Sequence, residues 1–294
     1  MLKYIKLSIN AKLSTIPPPF IGSMIRGAMG GALKDVVCIN PTFDCKDCFA
    51  KDNCLYYEFY EEKNRFLNYR LDFKLNQQNL EFNYYLFNKA CEKYPYILSA
   101  IEKLFTKKGL GVKRETTNNF KIYHNNKLIY DGNNFKNIKI EPTRHSELVS
   151  ESKFHTPTLR HCAFDAESKP PTIIKLKLIT PLRLKKNGRF LKPETLDIKD
   201  ILISVIGKKA FFENEQKEHI EQFPTVVMKD LKFLDLTRYS NRQKTKMKVG
   251  GIIGEMVISN LTPQTYNLLK YGEITGVGKL NSFGLGKIEI ENLT

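Results

Sequence analysis

Apolar and polar residues alternate from Leu2 to Lys12, which predicts a strand, and Pro17-Pro18-Pro19 interrupts the chain after it. Phe20 to Val36 predicts a helix, because Met24, Ile25, Ala28, Met29, Ala32, Leu33 and Val36 form one apolar stripe. Gly22, Gly27, Gly30 and Gly31 interrupt it, each costing up to ~1 kcal/mol relative to alanine. Tight packing or close approach to a ligand would account for them, and so would a frayed helix. Leu80 to Leu86 predicts a strand. Tyr94 to Lys107 predicts a helix with Gly109 just past its end, and Phe120 to Tyr130 a hairpin turning at Asn125-Asn126.

The order then begins again. Ile173 to Leu184 predicts a strand and Leu196 to Ile206 a short helix. Lys246 to Ser259 is strand-rich, with Gly250, Gly251 and Gly254 marking a bend or bulge. Thr262 is placed to cap a helix with Pro263 in its first turn and Gly272 at its end, and Phe283 to Ile290 predicts a last strand. The expected fold is α+β: two tandem ferredoxin-like (RRM-like) βαββαβ domains with a cysteine-bearing insertion. The expected domains are 1–143, which holds the cysteine cluster 38–54, and 171–294, which holds a glycine-rich loop. Between them, residues 144–170 are expected to form a linker or insertion. Within it, Arg144 to Lys153 recurs as Arg160 to Lys169, with the Arg, His, Glu, Ser and Lys positions identical. A period this short is no solenoid.

Composition narrows the class of partner. The chain has 294 residues and carries 47 Lys and Arg against 31 Asp and Glu, a formal charge of +16. The hydrophobic share of 41% excludes a disordered basic tail. No apolar run approaches the ~18–20 residues of a membrane span, and the N-terminus lacks a signal-peptide core, so a cytoplasmic protein with no membrane partner is expected. The charge favours a polyanion, nucleic acid first. It is also concentrated. Lys175, Lys177, Arg183, Lys185, Lys186, Arg189 and Lys192 follow one another with no acidic residue between Thr172 and Pro193. Lys232, Arg238, Arg242, Lys244, Lys246 and Lys248 stand against Asp235 alone. In Ile174-Lys175-Leu176-Lys177-Leu178 the lysines alternate with aliphatics, as in a strand with a cationic outer face. Such a face is either a phosphate track or a solubilising surface.

Four cysteines fall close together: Cys38, Cys45, Cys48 and Cys54. Thiolates favour zinc, and four of them close a tetrahedral structural site. Iron–sulfur ligation and unligated or redox thiols are the alternatives. Four sulfurs leave no open position for catalytic zinc, so no catalytic cofactor is expected and a structural zinc is.

Near the C-terminus, Gly276-Val277-Gly278-Lys279 and Gly284-Leu285-Gly286-Lys287 make a loop with four glycines, flanked by lysines. Glycine permits positive φ and lets a polyanion approach backbone N–H groups. The loop enters a strand rather than a helix, which disfavours both a P-loop and a dinucleotide fingerprint.

Taken together, this loop, the Gly22-Ser23-Met24-Ile25-Arg26-Gly27-Ala28-Met29-Gly30 helix, the cysteine cluster, Thr180-Pro181-Leu182-Arg183-Leu184-Lys185 and Arg238-Tyr239-Ser240-Asn241-Arg242-Gln243 resemble the CRISPR-associated RAMP proteins. The resemblance is to the Cas6 family of precursor-crRNA processing endoribonucleases and covers residues 1–143 and 171–294. It implies two ferredoxin-like domains with the glycine loop against repeat RNA. It also implies metal-independent cleavage, in which a 2′-hydroxyl attacks the adjacent phosphorus and leaves a 2′,3′-cyclic phosphate. CRISPR repeat RNA is the implied partner, other Cas effector subunits a further one. The implied RNA contacts are Arg26, Arg183, Lys185, Lys186, Arg238, Arg242, Lys244, Gly276, Gly278, Lys279, Gly284, Gly286 and Lys287. Relatives often carry an acid–base histidine near the first helix, and here no histidine precedes His124. His124, Lys34 and Tyr239 are the catalytic candidates. Two other readings stay open: a non-catalytic RNA-binding RAMP subunit, and a zinc-stabilised nucleic-acid-binding protein outside CRISPR biology.

Overall fold

A computed structural model describes residues 1–63, 66–145, 171–240 and 245–293. The first half runs β1 (Lys3–Ala11), α1 (Gly22–Val37), β2 (Tyr69–Asp72), β3 (Leu80–Phe87), α2 (Tyr94–Lys103), β4 (Phe120–His124), β5 (Lys127–Tyr130) and β6 (Thr143–Arg144). Its sheet has the order β2-β3-β1-β4-β5, with β6 also pairing β1. The four strands β2-β3-β1-β4 are the ferredoxin-like order, in which each crossover helix packs on one face. Ile5, Leu7 and Ile9 of β1 point to that face and meet Ile25, Met29 and Leu33 of α1 in one core.

The second half repeats the order. It runs β7 (Ile173–Leu182), β8 (Lys185–Lys186), β9 (Arg189–Phe190), α3 (Ile198–Glu213), β10 (Thr225–Leu234), β11 (Thr237–Ser240), β12 (Thr245–Lys248), β13 (Gly251–Ser259), α4 (Pro263–Thr275) and β14 (Ile288–Asn292). Its sheet order β10-β13-β7-β14 is again ferredoxin-like. Both sheets are antiparallel. The two halves are not independent. Leu2, Tyr4, Tyr85 and Phe87 on the far face of the first sheet join the core of the second half, against Phe212 of α3 and Tyr271 of α4.

Several elements differ from the sequence pattern. Helix α3 extends well past Ile206, through Gly207-Lys208-Lys209, because Lys208 is buried with partners of its own. Thr262 caps α4 as expected, but the helix passes through Gly272. A Cβ there would lie 3.1 Å from both Ile288 and Val205, so Gly272 is a close-packing position and not a terminus. The last strand starts at Ile288, since Asn281–Phe283 forms a short 3-10 turn. Strands β2 and β10 carry no alternation the sequence would reveal: β2 is buried at every position and β10 at none. Of the repeat at 144–169, Arg144 ends β6 and residues 146–169 lie outside the described residues. No helix among the described residues is long and apolar enough to cross a membrane.

Candidate nucleic-acid interface

The glycine loop, residues 276–286, lies where the two halves meet. Gly276, Gly278, Gly284 and Gly286 all have φ between 70 and 77°. All four are buried. At Gly284 the reason is contact as well as dihedral, because a Cβ would run into the Phe73 ring of the first half. Gly22 at the start of α1 is its counterpart: a Cβ there would run into the Phe283 carbonyl oxygen. The loop's backbone donors are used internally. Val277 N–H donates to Gly286 O (2.8 Å), Gly278 N–H to Ser204 Oγ (3.0 Å), Lys279 N–H to Arg183 O (3.0 Å) and Gly286 N–H to Pro181 O (3.1 Å). The glycines therefore shape a domain junction. As placed, they are not the open N–H cradle that the sequence suggested.

Lys287 is also turned inward. Its ammonium pairs with Asp72 at 2.8 Å, with a side-chain exposure of 13%, and Asp72 also pairs with buried Arg70. The lysines of β7 are no phosphate track either. Lys175 pairs with Glu255 of β13 (3.4 Å) and Lys177 with Glu291 of β14 (2.7 Å). Those glutamates are far away in sequence, which is why the stretch looked acid-free.

Two groups of cations do gather. A cleft of about 800 Å³ opens between α3, the β8–β9 hairpin, the start of β2 and the loop. Arg183, Lys185, Lys186, Lys208, Lys217 and Lys279 line it, against Asp200 as the acid. Lys186 is paired with Asp200 (3.0 Å), while Lys279 is exposed. Phe190 adds an exposed ring over which Arg183 (4.2 Å) and Lys185 (4.7 Å) lie. Leu280, Asn281 and Ser282 carry the loop along the cleft, and Phe283 follows.

The second group converges on Phe283. The Arg26 guanidinium of α1 lies 4.6 Å from the ring centre, and that of Arg238 on β11 lies 4.5 Å from it. Arg26 also covers Tyr60, at 4.7 Å. The Nε of each arginine is buried without a hydrogen-bond partner, as are Ser23 Oγ and the Tyr60 and Tyr69 hydroxyls. Burial, then the neighbouring Arg26 charge, lowers the pKa of Arg238. The Tyr69 hydroxyl faces Arg26, Tyr60 and Ser282, and burial first of all raises its pKa, so it is an O–H donor at neutral pH. Two guanidiniums gathered on one ring, near hydroxyl donors and with no carboxylate partner among the described residues, are an arrangement that suits an anion.

The catalytic candidates are scattered. His124 is buried (5% exposed), with Nδ1 3.0 Å from Lys6 O and Nε2 3.1 Å from Glu141 O. Both nitrogens thus face main-chain carbonyls. Lys34 lies in the last turn of α1, its ammonium 4.9 Å from the Tyr56 ring centre and beside the Cys45 thiol. It shares a helix face with Arg26, two turns away or ~12 Å. Tyr239 pairs with Lys246 in the β11–β12 ladder. Arg242 and Lys244 lie outside the described residues. Cys38, Cys45, Cys48 and Cys54 are all half-buried and free. Among the described residues no three His, Cys, Asp or Glu side chains are placed to hold one metal ion, so the thiols as arranged do not fit a tetrahedral centre. Burial raises the Cys45 pKa, against the opposing effect of the Lys34 ammonium.

Sequence reasoning missed Arg70, Lys208 and Phe283. Lys208 was detectable, since Ile201, Val205, Lys208 and Phe212 share the spacing of one buried stripe. Arg70 and Phe283 gave no such signal.

The comparisons with known proteins bear on the fold and on each half of the chain. Residues 2–143 match the family model described as the AF_1859_N N-terminal domain. Residues 176–288 match the model of the CRISPR-associated endoribonuclease Cas6. No curated protein sequence matches the chain. Among solved structures, a Cas6 product complex is similar with a TM-score of 0.57 and 14% identity, covering 98% of this chain and 99% of that one. Cas6 of Thermus thermophilus gives 0.55 and 14%, covering 99% and 98%. A partial Cas6-RT-Cas1–Cas2 complex gives 0.56 and 12%, covering 99% of this chain and 46% of that one. Residues 176–288 thus match the Cas6 endoribonuclease model, and the tandem fold of Cas6 structures runs along the whole chain.

Proposed function

We propose that this chain is an endoribonuclease that processes CRISPR repeat RNA. The observation that carries the reading is the pair of guanidiniums, one from each half of the chain, gathered on Phe283 with no carboxylate partner among the described residues. Next to it the basic cleft offers Arg183, Lys185 and Lys279 to a phosphate backbone, and the adjoining β8–β9 hairpin presents the exposed Phe190 ring to a base.

In the proposed reaction the 2′-oxygen forms a bond to the adjacent phosphorus, and the bond from phosphorus to the 5′-oxygen breaks. The 2′-hydroxyl proton leaves to a base, and the departing oxygen gains one from an acid. The products are a 2′,3′-cyclic phosphate and a 5′-hydroxyl. The nucleophile belongs to the substrate, so the step needs no metal-bound water, and it is proposed to run without a metal. Arg26 and Arg238 would neutralise the extra charge on the phosphorane, and because they are held in place before the substrate arrives, little reorganisation is needed. Guanidinium does not titrate, so the proton falls to another group. Lys34, on the same face of α1 as Arg26, is the proposed proton carrier.

The test is incubation with repeat RNA in EDTA. Cyclic-phosphate products that disappear on 2′-deoxy substitution at the cut site support the reading. Tight binding with no cleavage overturns it in favour of a scaffold role. The four cysteines are placed as free thiols, and metal analysis of the purified protein tests the structural zinc that their spacing suggested.

A further inference from the structure

Lys208 lies in the middle of α3 and is 2% exposed. Its ammonium donates to Thr275 O (3.1 Å), Gly276 O (2.6 Å) and Asn281 Oδ1. The first oxygen is the last carbonyl of α4, where the helix dipole favours a cation, and the second belongs to the residue that ends the helix. The third begins the 3-10 turn that carries Phe283. Asn281 in turn donates through Nδ2 to Val277 O (3.2 Å) and Leu285 O (2.8 Å). One ammonium and one amide therefore tie both limbs of the glycine loop to α3.

The residue is costly where it stands. Among the described residues no carboxylate is paired with it, and the charged neighbour that acts on it is Arg70, another cation. Ile201, Val205 and Phe212 occupy the same helical stripe, so an apolar residue would suit position 208 if packing were the sole requirement. The three hydrogen bonds instead set where the loop sits, and with it the ring between Arg26 and Arg238.

We propose that Lys208, acting through Asn281, is the positioning residue for the anion site: it fixes the 281–283 turn so that Phe283 holds the Arg26 and Arg238 guanidiniums in register for one phosphate of the RNA. The inference rests on the reading of that site as the phosphate site. Lys208 does not touch the RNA and acts through the turn.

The test measures affinity for repeat RNA carrying a 2′-deoxy at the cut site, together with the Tm of each variant. Lys208→Met should weaken binding about tenfold, the equivalent of one charge-assisted hydrogen bond. Arg238→Ala should then add little in the Lys208→Met background, because the site it belongs to is already out of register. Asn281→Leu should behave like Lys208→Met and keeps the test open if that variant does not fold. Asn281→Asp, which preserves an oxygen partner for Lys208, should retain more affinity than Asn281→Leu. Losses that simply add, or Asn281→Asp binding worst, as direct repulsion of RNA by a carboxylate would require, overturn the proposal. A wild-type protein that binds no repeat RNA overturns the underlying reading instead.

Discussion

Lys287 at the end of the glycine loop and Asp72 at the end of β2 form an ion pair across the two halves of the chain, at 2.8 Å. Arg70 joins it from the other side of Asp72 and also donates to Glu273 O (3.1 Å). This buried network, and not an RNA phosphate, takes up the Lys287 charge.

Separating Lys279 from Lys287 tests that assignment. Lys279→Ala should lower the salt dependence of RNA binding by about one unit of slope, with stability unchanged. Lys287→Ala should instead destabilise the fold by about 3 kcal/mol, since it leaves Asp72 short of a partner. Urea denaturation and salt-titrated binding measure the two effects.

Asp72 also predicts an acid limit. Burial alone would raise its pKa, but Arg70, Lys287 and Lys6 together outweigh that and hold it below the ordinary carboxylate value of 3.8. A lowered carboxyl pKa contributes stability that is fully present above the unfolded value and is lost as pH falls through the folded one. Wild-type stability should therefore drop below about pH 4, and Asp72→Asn should be less stable at neutral pH with a flatter acid limb.

Removing either guanidinium from Phe283 should slow cleavage more than it harms folding. Arg26→Ala and Arg238→Ala are each expected to lower the single-turnover rate about 10²–10³-fold, the loss typical of one transition-state donor. Equal rates in variant and wild type would sink the phosphorane role.

The glycines of α1 should divide into two kinds. Gly27 and Gly31 have nothing within 4 Å of an added Cβ, so alanine there should stabilise by up to ~1 kcal/mol. Gly22 faces the Phe283 carbonyl and Gly30 the Tyr60 ring at 2.8 Å, so alanine should destabilise by ~1–3 kcal/mol. Thermal unfolding of the four single variants checks the division.

His124 makes a separate case. With each ring nitrogen against a carbonyl, His124→Gln should lower stability by about 1 kcal/mol and leave the cleavage rate close to wild type. A rate loss with unchanged stability would return it to the catalytic step.

The sequence alone determined the elements whose pattern is local. The stripe of α1, the alternation of β1 and β7, the Asn125-Asn126 turn and the Thr262 cap depend on residues a few positions apart, and each forms where its spacing predicts. The tandem ferredoxin-like order followed from them. Charge pairing did not, because its partners are brought together only by strand order. Lys175 and Lys177 look unopposed until β13 and β14 place Glu255 and Glu291 beside them. Lys287 looks exposed until β2 supplies Asp72. Arg26 and Arg238 stand more than two hundred positions apart, and only the packing of the glycine loop against α1 brings their guanidiniums to one ring. Composition can show that a chain is basic. Which of its cations remain free to bind an anion depends on where the acids fold, and the tertiary structure decides that.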